Sequence, residues 1–305
     1  MAQENAGVGG AGVGGLYAYA ITPTRDGGDP DERKLAELID GMIDAGVDGI
    51  TVLGSTGALG SFSEAERMRV AEAAIGHAAR RVRVNVGTGA ITTAEAVRLA
   101  RHAERAGADS VLVVPITYWI LTEQELFEHY RAIAGAVSIP VGIYNNPRLT
   151  VTDLQPPLIA RLAQIENVRF LKETSVDLMR IGLTRRLTAG RLHLAWGRDG
   201  AVLDALRLGA DSWHCATSNV MPARCVELYR LAKQDPDAAQ ARRMYEEMRP
   251  FIEFCVQKGL VRAMHTALEL LGRPMGPPRR PIGMLEGEDR AELSRLLKTV
   301  GLQPT

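Results

Sequence analysis

The chain has 305 residues, 46% of them hydrophobic, which is enough to bury a large core and excludes a disordered or fibrous protein. Its 36 Lys and Arg balance 36 Asp and Glu, which argues against a nucleic-acid partner. No apolar run nears the ~20 residues that span a bilayer, no secretory leader is visible, and Cys215, Cys225 and Cys255 form no CxxC pair. These features predict a cytoplasmic protein with no membrane attachment, no disulfide framework and no thiolate zinc site.

Residues 1–15 are Gly-rich, lack periodicity and read as a flexible tail. Gly7 to Gly12 matches G-x-G-x-x-G, but no strand precedes it and no helix follows, so it reads as low-complexity glycine. An alternation then begins. Residues 16–23 read as a strand, 30–46 as a helix with Leu35, Leu38, Ile39, Met42 and Ile43 on one face, and 49–53 as a strand. A helix over 63–79 opens with Ser63 as N-cap and Glu66 in capping-box position. Strand 81–87 leads to a helix over 92–107 that stops at a glycine. Strand 110–115 and helix 122–137 follow. Further strands are read at 140–145, 168–173, 192–197 and 210–216, with helices at 153–164, 175–189 and 199–208 between them.

Eight short apolar strands, each separated from the next by a helix, suit parallel strands buried on both faces. The count predicts a (β/α)₈ TIM barrel over 16–221. From Pro222 onward the pattern is helical only, at 222–233, 236–257, 259–271 and 289–299, which predicts a C-terminal helical extension over 222–305.

In such a barrel the chemistry gathers where the strands end. Lys172 closes an apolar strand; desolvated there, its amine loses its proton readily and attacks a carbonyl, whereas a lysine paired with Glu173 would not. Tyr144 ends the fifth strand and can pass a proton if another hydroxyl polarises it, or can be a half-buried core tyrosine. Ser55 and Thr56 sit in a glycine-flanked turn whose N–H groups can hold a carboxylate or phosphate, or which simply reverses the chain. The six histidines lack metal-ligand spacing, so no metal and no cofactor are expected.

Taken together, Gly49-Ile-Thr-Val-Leu-Gly-Ser-Thr-Gly57, Tyr144-Asn-Asn-Pro147, Leu171-Lys-Glu-Thr-Ser175, Asn219-Val220 with Pro222, and Lys258 to Gly272 with Arg280-Pro281 carry a resemblance. The chain resembles the dihydrodipicolinate synthase / N-acetylneuraminate lyase family of class I, pyruvate-handling aldolases, over about residues 16–300. The resemblance implies that Lys172 forms an imine with a 2-keto acid such as pyruvate, that Tyr144 moves protons, and that Ser55 links into that relay. It implies that Thr56, with the N–H groups of the turn through Gly57, grips the keto-acid carboxylate. Tyr118 falls where the family places a second relay tyrosine contributed across a dimer interface, and the implied assembly is a homotetramer, a dimer of dimers. The implied partners are the keto acid and an aldehyde.

Several positions depart from the family pattern. Ala58 stands where glutamate is usual after the strand-end turn, and Thr117 replaces the first tyrosine of a frequent Tyr-Tyr pair. The arginine that follows the Tyr-Asn-x-Pro motif comes one place early, as Arg148, with Leu149 in its stead. A one-residue shift is expected to aim Arg148 elsewhere. Trp213-His214-Cys215 occupy the eighth strand, where either His214 or its two neighbours face inward. The expected activity is therefore a pyruvate-dependent aldolase or lyase whose aldehyde is not aspartate semialdehyde but has an apolar, aromatic or hydroxylated body. Leu149, Arg148 and His214 are the candidate contacts to it. The alternatives are a dihydrodipicolinate synthase in which Arg148 swings in, a 2-keto-3-deoxy sugar acid dehydratase or aldolase, and a silent keto-acid sensor. A glycosidase would need Glu173 and Asp199 as a carboxylate pair.

Overall fold

The computed structural model describes residues 13–304, so the Gly7–Gly12 stretch and most of the expected tail lie outside the described residues. Eight parallel strands close into a barrel in chain order: β1 (Gly15–Tyr19), β2 (Gly49–Val52), β3 (Arg83–Gly87), β4 (Ser110–Val113), β5 (Val141–Asn145), β6 (Val168–Glu173), β7 (His193–Trp196) and β8 (Ser212–Cys215). The helices between them are α1 (Glu32–Asp44), α2 (Glu64–Ala78), α3 (Thr93–Ala106), α4 (Glu123–Ala134), α5 (Pro156–Leu162), α6 (Met179–Leu187) and α7 (Val202–Arg207). The fold is a TIM barrel. Four further helices follow, α8 (Pro222–Gln234), α9 (Ala239–Lys258), α10 (Leu260–Leu270) and α11 (Gly287–Thr299).

Local chemistry explains these elements. Ser63 and Glu66 form the expected capping box on α2, and Thr122 with Glu125 forms a second one on α4. The expected glycine stop on α3 is Gly107, in the left-handed region at φ 98°. α1 buries Leu35, Leu38, Ile39 and Met42 on one stripe. Most strands are one to three residues shorter than their apolar runs, because side chains at the strand ends leave the sheet to form loops. One boundary is corrected. Residues 13–15 were assigned to the tail, but Gly15 opens β1 and Val13 is only 1% exposed.

Alternation divides the strands into two sets. Ile50, Val84, Val86, Val111, Val113, Ile143, Leu171, Leu194 and Trp196 belong to the continuous buried core. The interior of the barrel instead carries a polar chain. Ser110 Oγ donates to Asn85 Oδ1 (3.1 Å), Asn85 Nδ2 to Thr51 Oγ1 (3.2 Å), Thr51 bonds the Tyr19 hydroxyl, and Tyr19 Oη meets His214 Nδ1 at 2.7 Å. It crosses β4, β3, β2, β1 and β8 and is buried throughout. Each link satisfies a buried polar group, as a low-dielectric interior requires, and the chain ends at His214, whose Nε2 has no hydrogen-bond partner among the described residues.

The C-terminal helices are tied to the barrel. The Arg279 guanidinium forks onto Glu66 at 2.8 and 2.6 Å, and its Nε donates to the Gly28 carbonyl. The Asn219 amide bonds the Tyr19 carbonyl and the Ile21 N–H, which locks the turn after β8 onto the end of β1. No helix among the described residues is long and apolar enough to cross a membrane.

Candidate active site

A cavity of about 250 Å³ opens at the C-terminal ends of the strands, somewhat smaller than the ~300 Å³ and upward of drug-sized ligand sites. Its floor is Tyr19, Lys172 and His214. Ser55, Thr56, Tyr144 and Asn146 form one wall. The junction of α9 and α10, from Val256 to Arg262, forms another. The C-terminal extension therefore builds part of the site.

Lys172 is inward-facing on β6 and 3% exposed. Its Nζ lies 3.4 Å from the centroid of the Tyr19 ring and 4.2 Å from that of Tyr144. Burial between these rings pushes the ammonium down to about 7; the Asp199 carboxylate opposes this in part. Glu173, the alternative partner, points the other way, as alternation requires. It accepts from the Asn145 amide (3.0 and 3.2 Å) and the Ser175 N–H (2.7 Å). Gly197, at the end of β7, makes room for the lysine: a Cβ there would lie 2.3 Å from Lys172 Cε.

Tyr144 Oη is 3.3 Å from Ser55 Oγ and accepts from Asn146 Nδ2 at 2.8 Å. Asn146 Nδ2 also reaches Ser55 Oγ at 3.3 Å. Burial raises the phenol to about 12, so it stays protonated. Ser55 and Thr56 are delivered by a turn in which Leu53 (φ 56°) and Ala58 (φ 52°) occupy the left-handed region, a conformation that costs side chains of this kind about 1–3 kcal/mol. The Leu53 carbonyl fits only because residue 87 is glycine; a Cβ there would lie 1.9 Å from it. Gly57 does not line the cavity. Its carbonyl accepts from Thr22 Oγ1 at 2.8 Å, and it holds the turn against Leu53 and Ala20.

Asp199 stands buried at the base of the cavity. Oδ1 accepts from Trp213 Nε1 (2.9 Å); Oδ2 accepts from Ala216 N (3.1 Å), Thr217 N (2.9 Å) and Thr217 Oγ1 (2.7 Å). Desolvation raises its carboxyl above the usual range, against these bonds. Glu173 and Asp199 thus serve separate hydrogen-bond sets, and neither is free to act as one of a glycosidase pair. His214, not Trp213 or Cys215, faces the cavity, and burial keeps its imidazole well below the ordinary value and therefore neutral.

Among the expected contacts to a second substrate, Leu149 lies at the rim, 67% exposed. The expectation that Arg148 points elsewhere is overturned. It lines the cavity, with a terminal nitrogen on the Val256 carbonyl at 3.0 Å, because the turn formed by Leu149 N and Thr150 N on the Asn146 carbonyl folds the segment over the mouth. Tyr118 is 82% exposed and outside the cavity of its own chain. Tyr19, Asn146, Arg198 and Arg262 were missed. For Tyr19 a signal existed, since Tyr17 and Tyr19 alternate on one face of β1; Arg262 reaches the site only through the packing of α10. Among the described residues, no group of three or more His, Cys, Asp or Glu could hold a metal ion.

The sequence model of the dihydrodipicolinate synthetase family matches residues 12–300. The 4-hydroxy-tetrahydrodipicolinate synthase of Syntrophus aciditrophicus is 35% identical, covering 94% of this chain and 98% of that protein. The crystal structure of dihydrodipicolinate synthase from Aquifex aeolicus superposes with a TM-score of 0.91 at 31% identity, over 96% of this chain and 99% of the other. YagE of Escherichia coli K12, named as a candidate 2-dehydro-3-deoxy-D-gluconate aldolase, is 33% identical over 90% of this chain and 93% of its own. Its structure in complex with pyruvate superposes with a TM-score of 0.89 at 31% identity, over 95% and 99% of the two chains.

Proposed function

This chain belongs to the dihydrodipicolinate synthetase family of lyases and aldolases, and from that premise we propose that it is a Schiff-base enzyme joining pyruvate to an aldehyde or splitting such an adduct. The observation that carries the reading is Lys172, a buried amine held near 7 between two tyrosine rings at the mouth of the barrel. The neutral amine attacks the keto carbon of pyruvate. The carbinolamine loses water and leaves an iminium. Loss of a proton from the adjacent methyl carbon gives an enamine, whose carbon attacks the aldehyde carbonyl while that oxygen takes a proton. Water then cleaves the imine and regenerates the amine. Cleavage runs the same steps backward.

Tyr144 is the group proposed to carry the proton. Its hydroxyl lies within reach of Ser55 and Asn146 and stays protonated up to about 12, so it can donate and be reloaded through Ser55. Thr56 and the N–H groups of its strained turn are proposed to hold the pyruvate carboxylate. Tyr118, with the neighbouring exposed Trp119 and Ile120, is proposed to meet a second protomer in the homotetramer.

The test is incubation with pyruvate and borohydride. The protein gains the mass of one reduced pyruvyl group, and Lys172→Ala gains none. Labelling elsewhere, or no labelling, refutes the reading. A second reading, 4-hydroxy-tetrahydrodipicolinate synthase, is favoured by Arg148, which reaches the cavity after all. Turnover of pyruvate with aspartate semialdehyde, coupled to dihydrodipicolinate reductase, decides between that and a different aldehyde.

A further inference from the structure

The outer part of the cavity is unusually cationic. Arg148 follows β5, Arg198 follows β7, and Arg262 lies in the first turn of α10, yet all three line the same space. Elsewhere on the molecule Arg98, Arg180, Arg185, Arg224, Arg279 and Arg290 each hold a carboxylate. None of the three at the cavity has a carboxylate partner among the described residues. Among the described residues the one carboxylate lining the cavity is Asp199, buried at its base and occupied by Trp213, Ala216 and Thr217.

Three arginines lining one small, largely apolar space, none with a carboxylate partner, favour an anion that enters it. They also offer the forked N–H pairs that match phosphate and carboxylate oxygens. The keto-acid carboxylate does not meet this need, because its proposed seat is Thr56 and the N–H groups of its turn. A single negative charge would leave two of the three arginines without a counter-charge, whereas a dianion leaves one. We infer that the second substrate carries a doubly charged oxyanion, a phosphate monoester or a pair of carboxylates, at the end remote from its reacting carbonyl. Arg198 and Arg262 grip it, and Arg148, anchored on the Val256 carbonyl, closes the third side. This rests on the imine reading of Lys172 and specifies what that site accepts.

The experiment separates the two. Borohydride trapping of pyruvate is measured first and establishes the imine by itself. Aldol addition at saturating pyruvate is then followed with glyceraldehyde, glyceraldehyde 3-phosphate and aspartate semialdehyde. Inorganic phosphate, succinate and acetate serve as competitors against the aldehyde. The expected result is a kcat/KM at least about 10–100-fold higher for the phosphorylated aldehyde than for glyceraldehyde, the span of a charge-assisted hydrogen bond. Arg198→Ala and Arg262→Ala each cut that selectivity ratio by a similar factor. Both variants alter partly exposed side chains and should fold. Stronger competition by phosphate than by succinate identifies a phosphate monoester; the reverse identifies a dicarboxylate. The inference is overturned if trapping succeeds while glyceraldehyde or aspartate semialdehyde is used as well as the phosphorylated aldehyde. It is also overturned if acetate competes as well as both dianions, or if the two variants leave the ratio unchanged.

Discussion

The Lys172 ammonium nitrogen rests 3.4 Å above the centre of the Tyr19 ring. The ring face favours a cation by about 0.5–2 kcal/mol. Burial acts the other way and prevails, since the amine is pushed down to about 7. Reactivity should therefore depend on pH with a definite sign. Below about 7 the amine holds its proton and cannot attack; above it, the attack is unimpeded. Cyanoborohydride trapping of pyruvate should rise through a midpoint near 7 and then level off. Asp199→Asn removes the anion that favours the ammonium, so the midpoint moves to lower pH. A midpoint near 10 in the wild type would contradict the geometry.

Tyr144 is expected to matter for turnover more than for folding. Tyr144→Phe keeps the ring beside Lys172 and removes the hydroxyl shared with Ser55 and Asn146. Turnover should fall roughly 10²–10⁴-fold, the range for a positioned acid–base group. Because the phenol is raised to about 12, no loss of activity from its ionisation should appear below pH 10. Near-normal turnover in the Phe variant would remove Tyr144 from the relay.

The Tyr19–His214 bond can be tested by a double-mutant cycle. Tyr19→Phe leaves His214 Nδ1 without its partner, and His214→Leu leaves the Tyr19 hydroxyl with Thr51 alone, each in a buried setting. Each should cost about 1–3 kcal/mol in denaturant unfolding. The double variant should cost less than the sum, by about 0.5–3 kcal/mol. Strict additivity would show that the 2.7 Å contact contributes nothing.

Gly197→Ala places a methyl 2.3 Å from Lys172 Cε and 2.6 Å from Thr174 Cγ2. Either the lysine or the end of β7 must move. Displacing a reacting group by about an ångström costs roughly 10²-fold. Trapping should slow by that order while thermal unfolding shows an intact fold. Unchanged trapping would mean that the lysine has freedom the packing does not suggest.

The eight strands and the capped helices were legible because each rests on local signals: apolar runs of strand length, Ser63 with Glu66, and the glycine after α3. Lys172, Tyr144, Ser55 and Thr56 were legible as a set because a barrel gathers its strand ends. Arg148 was misjudged, since alternation governs strands and the segment after β5 is a turn that closes on Asn146. Arg198 and Arg262 were invisible to such reasoning. One sits in an ordinary loop, and the other owes its place to α10 folding back from the C-terminal extension. Tyr19 carried a signal, its alternation with Tyr17 on one face of β1, but it stands in the middle of the apolar run and not at its end. Asp199 was noticed for a reaction it does not serve, because its four donors come from β8 and the turn beyond it.

The polar chain inside the barrel has a direction. Ser110 gives to Asn85, Asn85 to Thr51, Thr51 to Tyr19, and Tyr19 to the Nδ1 of a His214 ring that burial keeps neutral. Each hydroxyl has its hydrogen spoken for by the next member. A proton arriving on the Tyr19-facing nitrogen of His214 would oppose the Tyr19 hydrogen head-on. Relief would require Tyr19 and Thr51 to turn together and the Asn85 amide to flip. The arrangement therefore holds Tyr19 in place and presents the Lys172 amine with the face of its ring.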